Sequence, residues 1–138
     1  MRKEDSIYLQ ISQWMQFQHK GIPFHFDLSG GVFSPGMANR NKRMNPITGW
    51  PDFCCPVKRG DYSGLWIEIK TEDEVLTRPK DAKKILKGET KLRLMGDWFN
   101  DHIEEQAKML MYLAGQGFNT HFACGFVECQ KIINAYLK

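Results

Sequence analysis

Gly49-Trp50-Pro51-Asp52-Phe53-Cys54-Cys55-Pro56-Val57, followed after a short turn by Leu65-Trp66-Ile67-Glu68-Ile69-Lys70, is the stretch on which the fold depends. Phe53 to Val57 and Leu65 to Lys70 read as two strands joined through Lys58-Arg59-Gly60-Asp61, which makes an antiparallel pair. Residues i and i+2 of a strand share a face. Glu68 and Lys70 therefore project together, while Leu65, Ile67 and Ile69 point the other way into a core. Asp52, set by Gly49-Trp50-Pro51, opens the neighbouring strand, and a hairpin between the two would bring its carboxylate beside that of Glu68.

Outward from this hairpin the pattern alternates between strands and helices. Upstream, Ile7, Ile11, Trp14, Met15 and Phe17 follow a helical period from Asp5 to His19, stopped by Gly21-Ile22-Pro23. Phe24 to Leu28 alternates as a strand and is closed by Ser29-Gly30-Gly31. Ser29 to Trp50 reads as a long loop carrying Arg40, Lys42 and Arg43, and loops of that length tend to be functional or disordered. Downstream, Asp101 is the expected cap of a helix whose stripe is Ile103, Ala107, Leu110, Met111 and Ala114. Thr120 to Gly125 follows as a strand and Val127 to Leu137 as a helix. The order α-β-β-β-α-β-α, with a helix between the third and fourth strands, predicts an α/β fold with a mixed central sheet flanked by helices.

A chain of 138 residues, 42% hydrophobic and 25% charged, suits one domain over 1–138, and its net charge of +3 is compatible with a polyanionic partner without requiring one. No run approaches the ~20 apolar residues of a membrane span and the N-terminus lacks a signal-peptide core, so a soluble cytoplasmic protein is expected. Cys54, Cys55, Cys124 and Cys129 form no CxxC pair; buried reduced thiols fit them better than structural zinc. His25, His102 and His121 have no spacing that marks a zinc or catalytic role. No nucleotide-cofactor motif is present.

Two adjacent carboxylates repel unless a proton or a cation lies between them. A hard divalent cation such as Mg²⁺ takes oxygen ligands and needs only one or two carboxylates beside phosphate and water. The Ile69 backbone carbonyl is a further oxygen, and Lys70 is placed to orient an attacking water or steady a phosphate. Glu68 and Lys70 taken alone fit a surface ion pair, worth about 0–1 kcal/mol, better than a catalytic site. Asp52, sixteen residues upstream, shifts the balance toward a site.

In combination these residues resemble the PD-(D/E)XK nucleases, and within them the small VRR-NUC branch. Gly49-Trp50-Pro51-Asp52 is similar to the GxPD element and Trp66-Ile67-Glu68-Ile69-Lys70-Thr71 to the E-x-K strand. Gln106, with Leu110, Leu113 and Gly117, resembles the Q-bearing helix that follows. The first helix and the strand ending in Asp27-Leu28-Ser29-Gly30-Gly31 are also similar, so the likeness covers nearly the whole chain. It implies a restriction-endonuclease-like α-β-β-β-α-β-α core and Mg²⁺- or Mn²⁺-dependent hydrolysis of DNA phosphodiesters, structure-selective on branched DNA such as four-way junctions, by a homodimer. Carried over by residue, Asp52 and Glu68 become metal ligands with the Ile69 carbonyl, Lys70 the water-positioning group, and Gln106 a polar lining residue. Glu4, near the start of the first helix, is the candidate for the acidic residue the family often adds there.

The resemblance leaves a basic insertion at about 72–100 without a motif. Seven basic residues between Arg78 and Arg93, among them Lys83, Lys84 and Lys87, are candidates for phosphate contacts, as charge runs are for plain solvation. Arg40, Lys42 and Arg43 are the stronger phosphate candidates, because their segment leads straight into Pro51-Asp52. Trp50 reads as a packing residue with base stacking as its alternative role. The competing readings of the whole are a DNA-binding module with an inactive nuclease-like pocket, and an α/β domain with surface ion pairs only.

Overall fold

The computed structural model describes residues 3–28, 34–76 and 98–138. Lys83, Lys84, Lys87 and the rest of the basic run lie outside these residues, as do Ser29, Gly30 and Gly31. The order is α1 (Lys3–Gln18), β1 (His25–Phe26), α2 (Pro35–Met44), β2 (Phe53–Cys55), β3 (Leu65–Lys70), α3 (Asp101–Gly115), β4 (Asn119–Cys124) and α4 (Phe126–Leu137). No helix among the described residues is long and apolar enough to cross a membrane.

The four strands lie side by side in the order β1-β2-β3-β4. β1–β2 and β2–β3 are antiparallel, and β3–β4 is parallel across the α3 crossover, so the sheet is mixed as expected. Alternation along β3 separates two apolar layers. Leu65, Ile67 and Ile69 join Phe53, Cys55 and Ala123 beneath Ile7, Ile11 and Met15 of α1 and Cys129, Ile132 and Ile133 of α4. On the other side Phe122 and Cys124 meet Ile103, Ala107 and Leu110 of α3, with Trp98 and Leu76. Burying a side chain of this size stabilises by about 1.5–3 kcal/mol, and the even-numbered residues of β3 are thereby pressed between sheet and α3.

Two expectations are corrected. The segment from Ser29 to Trp50 is not all loop, because Pro35–Met44 is helical. Its start is set by Ser34, whose hydroxyl accepts from the Met37 N–H at 3.3 Å, with Pro35 at the first helical position where a missing N–H costs nothing. None of its residues is buried. The cap of α3 is Asn100 rather than Asp101: Asn100 Oδ1 accepts from the Ile103 N–H at 2.9 Å, and Asp101 is the first helical residue. The short strands end a residue or two inside their expected limits.

Candidate active site

The β2–β3 ladder pairs Phe53 with Ile67. One step further sets Asp52 opposite Glu68, and the next would set Pro51 opposite Ile69. Pro51 has no N–H to give, so the ladder stops there. The Ile69 N–H is taken instead by the Asp52 side chain, Oδ2 accepting at 2.8 Å. On a strand a residue's N–H and C=O face the same edge, so the Ile69 carbonyl faces that edge too, where Pro51 offers it no donor. Asp52 is held from the other side by its own carbonyl, which accepts from the Asp27 N–H at 2.8 Å.

Glu68 and Lys70 are buried, 2% and 6% exposed, which removes the surface ion pair as an account of them. Lys70 Nζ lies 3.9 Å from Glu68 Oε1. The same oxygen accepts from Gln106 Nε2 at 2.7 Å, so α3 reaches the site through a buried hydrogen bond. Glu68 Oε2 and Gln106 Oε1 are buried without a hydrogen-bond partner among the described residues. A buried carboxylate oxygen without a donor is costly, and a bound cation or a proton shared with Asp52 would satisfy it.

Burial, and then the negative charge of Asp52, hold the Glu68 carboxyl well above its ordinary value, against the pull of Lys70. Burial also raises Asp52, opposed by hydrogen bonds with Glu68, the Ile69 N–H and Tyr8. Tyr8 is not among the residues that the sequence singles out on this helix, which are Ile7, Ile11, Trp14, Met15 and Phe17. Its ring stacks on Phe26 at 5.1 Å and 26°, and its hydroxyl hydrogen-bonds Asp52. Burial and the Asp52 charge push the phenol upward, which keeps it a donor. Glu4 stands one turn before Tyr8 on α1, and its charge raises both Tyr8 and Glu68. That i, i+4 relation is the sequence signal by which the two belong together.

The donors fit a hard divalent cation. Asp52 and Glu68 supply two mutually repelling carboxylates, and the Ile69 carbonyl is a third oxygen on the same edge. No group of three or more His, Cys, Asp and Glu side chains arranged to hold a metal occurs among the described residues, so Glu4 adds charge here without completing a cage. The cysteines stand apart from this chemistry. Burial pushes Cys54 up to about 11 and raises Cys55 and Cys129, which keeps these thiols protonated.

Arg40, Lys42 and Arg43 are exposed on α2, which has no acidic residue, and Arg40 and Arg43 share one face with Gly36 and Asn39 around a shallow recess. The loop from α2 to Asp52 is clamped onto α3. Thr48 Oγ1 donates to Glu105 Oε1, and Gly49, at φ 86°, lies so close that a Cβ there would stand 3.2 Å from the Glu105 carbonyl oxygen. Glu105, which directly precedes Gln106, thus meets the Asp52 loop at both its backbone and its carboxylate.

A mixed sheet between α1 and α4 on one side and α3 on the other, with a Pro-Asp at a broken ladder and Glu-x-Lys on the next strand, defines a restriction-endonuclease-like α/β domain. No protein-family model and no curated protein matches the sequence. A solved structure of a VRR_NUC domain protein is 25% identical, with a TM-score of 0.64 and coverage of 99% of this chain and 89% of that one. The chain carries the VRR-NUC fold.

Proposed function

We propose that this domain is a Mg²⁺- or Mn²⁺-dependent deoxyribonuclease. The observation that carries the reading is the pairing of part-buried Asp52 with fully buried Glu68, two carboxylates driven above their ordinary values with one oxygen left unpartnered. Glu68 stays raised despite the Lys70 charge beside it, so the fully charged pair calls for a further cation. When bound, the metal would polarise the scissile phosphate and neutralise developing charge. Asp52, Glu68 and the Ile69 carbonyl would hold it. Lys70 would donate to the attacking water or to a phosphate oxygen, and Gln106 keeps Glu68 in one rotamer. The likeness to a VRR_NUC domain protein supports the nuclease reading.

Arg40, Lys42 and Arg43 would contact phosphates on the path into the site, an affinity independent of sequence that falls with salt. The finer part of the proposal is selectivity for branched DNA, including four-way junctions, by a homodimer; symmetrical cutting of two arms needs two sites related by a two-fold axis. The test is a cleavage panel with Mg²⁺ and Mn²⁺ on four-way junction, flap, nicked duplex and single-stranded DNA, run beside sedimentation to read the oligomeric state. Asp52→Ala and Glu68→Ala are each expected to abolish cutting. Full activity in either variant, or in EDTA, overturns the proposal. Binding of branched DNA with no cutting under either metal would make the domain a DNA-binding module.

A further inference from the structure

Trp50 stands immediately before Pro51-Asp52 and is 40% exposed, although an indole is among the side chains that gain most from burial. It is not a loose surface residue. Its ring lies 6.0 Å from that of Trp66, tilted at 41°, and Trp66 is backed edge-on by Phe118 at 6.1 Å and 86°. The backbone beneath it is fixed by the Gly49 and Thr48 contacts to Glu105, and Pro51 on its other side is fully buried. Trp66 shares a face of β3 with Glu68, two residues and so about 7 Å along the strand. The result is a braced aromatic ladder whose outermost member is open to solvent, on the stretch of chain that leads from the basic helix α2 to Asp52.

We propose that Trp50 is a stacking platform for one unpaired nucleobase next to the phosphate held at Asp52 and Glu68. The proposal rests on the nuclease reading for the position of that phosphate. In continuous duplex every base face is covered by its neighbours, so a flat ring offers nothing to it. A base at a single-strand end, a flap or a branch point has a free face, and any of the four bases can use it. The substrate class is therefore DNA with an unstacked nucleotide at the cutting position, and intact duplex is disfavoured without any base-specific contact. Because the platform is already braced, the site loses little freedom on binding.

The test compares Trp50→Phe, which keeps a ring, Trp50→Leu, which keeps apolar volume without one, and Trp50→Ala. Binding of a twelve-nucleotide single strand and of the corresponding duplex is measured by fluorescence anisotropy in EDTA, with thermal melting to confirm folding. Cleavage of flap and duplex DNA is measured in Mn²⁺. The expected result is a loss of single-strand affinity on the order of tenfold for Ala and Leu, little loss for Phe, and unchanged duplex affinity in all three. Equal losses on both DNAs, or a Leu variant that binds single strands like the parent, would overturn the platform. Absence of cleavage by the parent protein bears on the nuclease reading alone, since the binding difference in EDTA needs no metal.

Discussion

Replacing Glu68 by glutamine is the most informative single change, because it removes a buried charge while keeping shape and the hydrogen bond from Gln106 Nε2. The Lys70 ammonium at 3.9 Å from Glu68 attracts it by about 4 kcal/mol at an effective dielectric near 20. Asp52, within hydrogen-bonding reach of Glu68, opposes that attraction with a repulsion of like order. The two nearly cancel, leaving the cost of desolvating a carboxylate that is 2% exposed, which is several kcal/mol per buried ion. Proton uptake relieves part of this. The folded pKa of Glu68 lies above its ordinary 4.5, so its contribution to stability is full below that pH and is lost as pH rises through the folded value. The amide has no such decline. In EDTA, Glu68→Gln should melt within a degree or two of the parent at pH 5 and be more stable by about 1–3 kcal/mol at pH 8.5, which for a chain of this size is several degrees. Adding Mn²⁺ at pH 8.5 should raise the parent's melting temperature and leave the variant's unmoved. Scanning fluorimetry at the two pH values, with and without metal, reads all four conditions. A variant less stable than the parent at pH 8.5 in EDTA, or one that keeps the full metal response, refutes the account of the site as a strained carboxylate pair.

Two further changes probe how the pair is held. Tyr8→Phe removes only the hydroxyl that bonds Asp52 and should weaken Mn²⁺ binding several-fold by calorimetry while costing about 1 kcal/mol of stability, the ordinary worth of a hydrogen bond; unchanged metal affinity would reduce Tyr8 to packing. Gly49→Ala forces a side chain into a left-handed conformation, at about 1–2 kcal/mol, and against the Glu105 carbonyl. It should lower the melting temperature by several degrees and depress cleavage further than its stability loss explains, because the Asp52 loop moves; full activity at a temperature where the variant is folded would show the clamp to be dispensable.

How far the chain could be read before folding depends on where each signal resides. β3 was legible residue for residue, because its alternation is set by burial on one face and the site on the other. Gln106 comes to notice through the family resemblance alone, and only the fold shows that it meets Glu68 Oε1. α2 was not, because its two asparagines, glycine and proline have low helix propensity and it buries nothing, so no apolar period betrays it. What starts it is a cap at Ser34, a local hydrogen bond with no echo further along the chain. Tyr8 was hidden for the opposite reason: it lies on a strong apolar stripe, and only its terminal oxygen departs from the core to meet a residue far along the chain. Trp50 reads as core by residue type, and only the packing around Trp66 shows that its outer face is left bare.

β3 serves as core on one parity and as site on the other, and this constrains how the protein can change over generations. A point substitution on β3 affects packing or chemistry, seldom both. An inserted or deleted residue between Leu65 and Lys70 would exchange the two faces, driving Glu68 and Lys70 into the layer of Ile11 and Met15 and turning Ile67 and Ile69 toward Gln106. Length variation in such a domain is therefore confined to its connections, whereas the strand that carries the chemistry can vary only letter by letter.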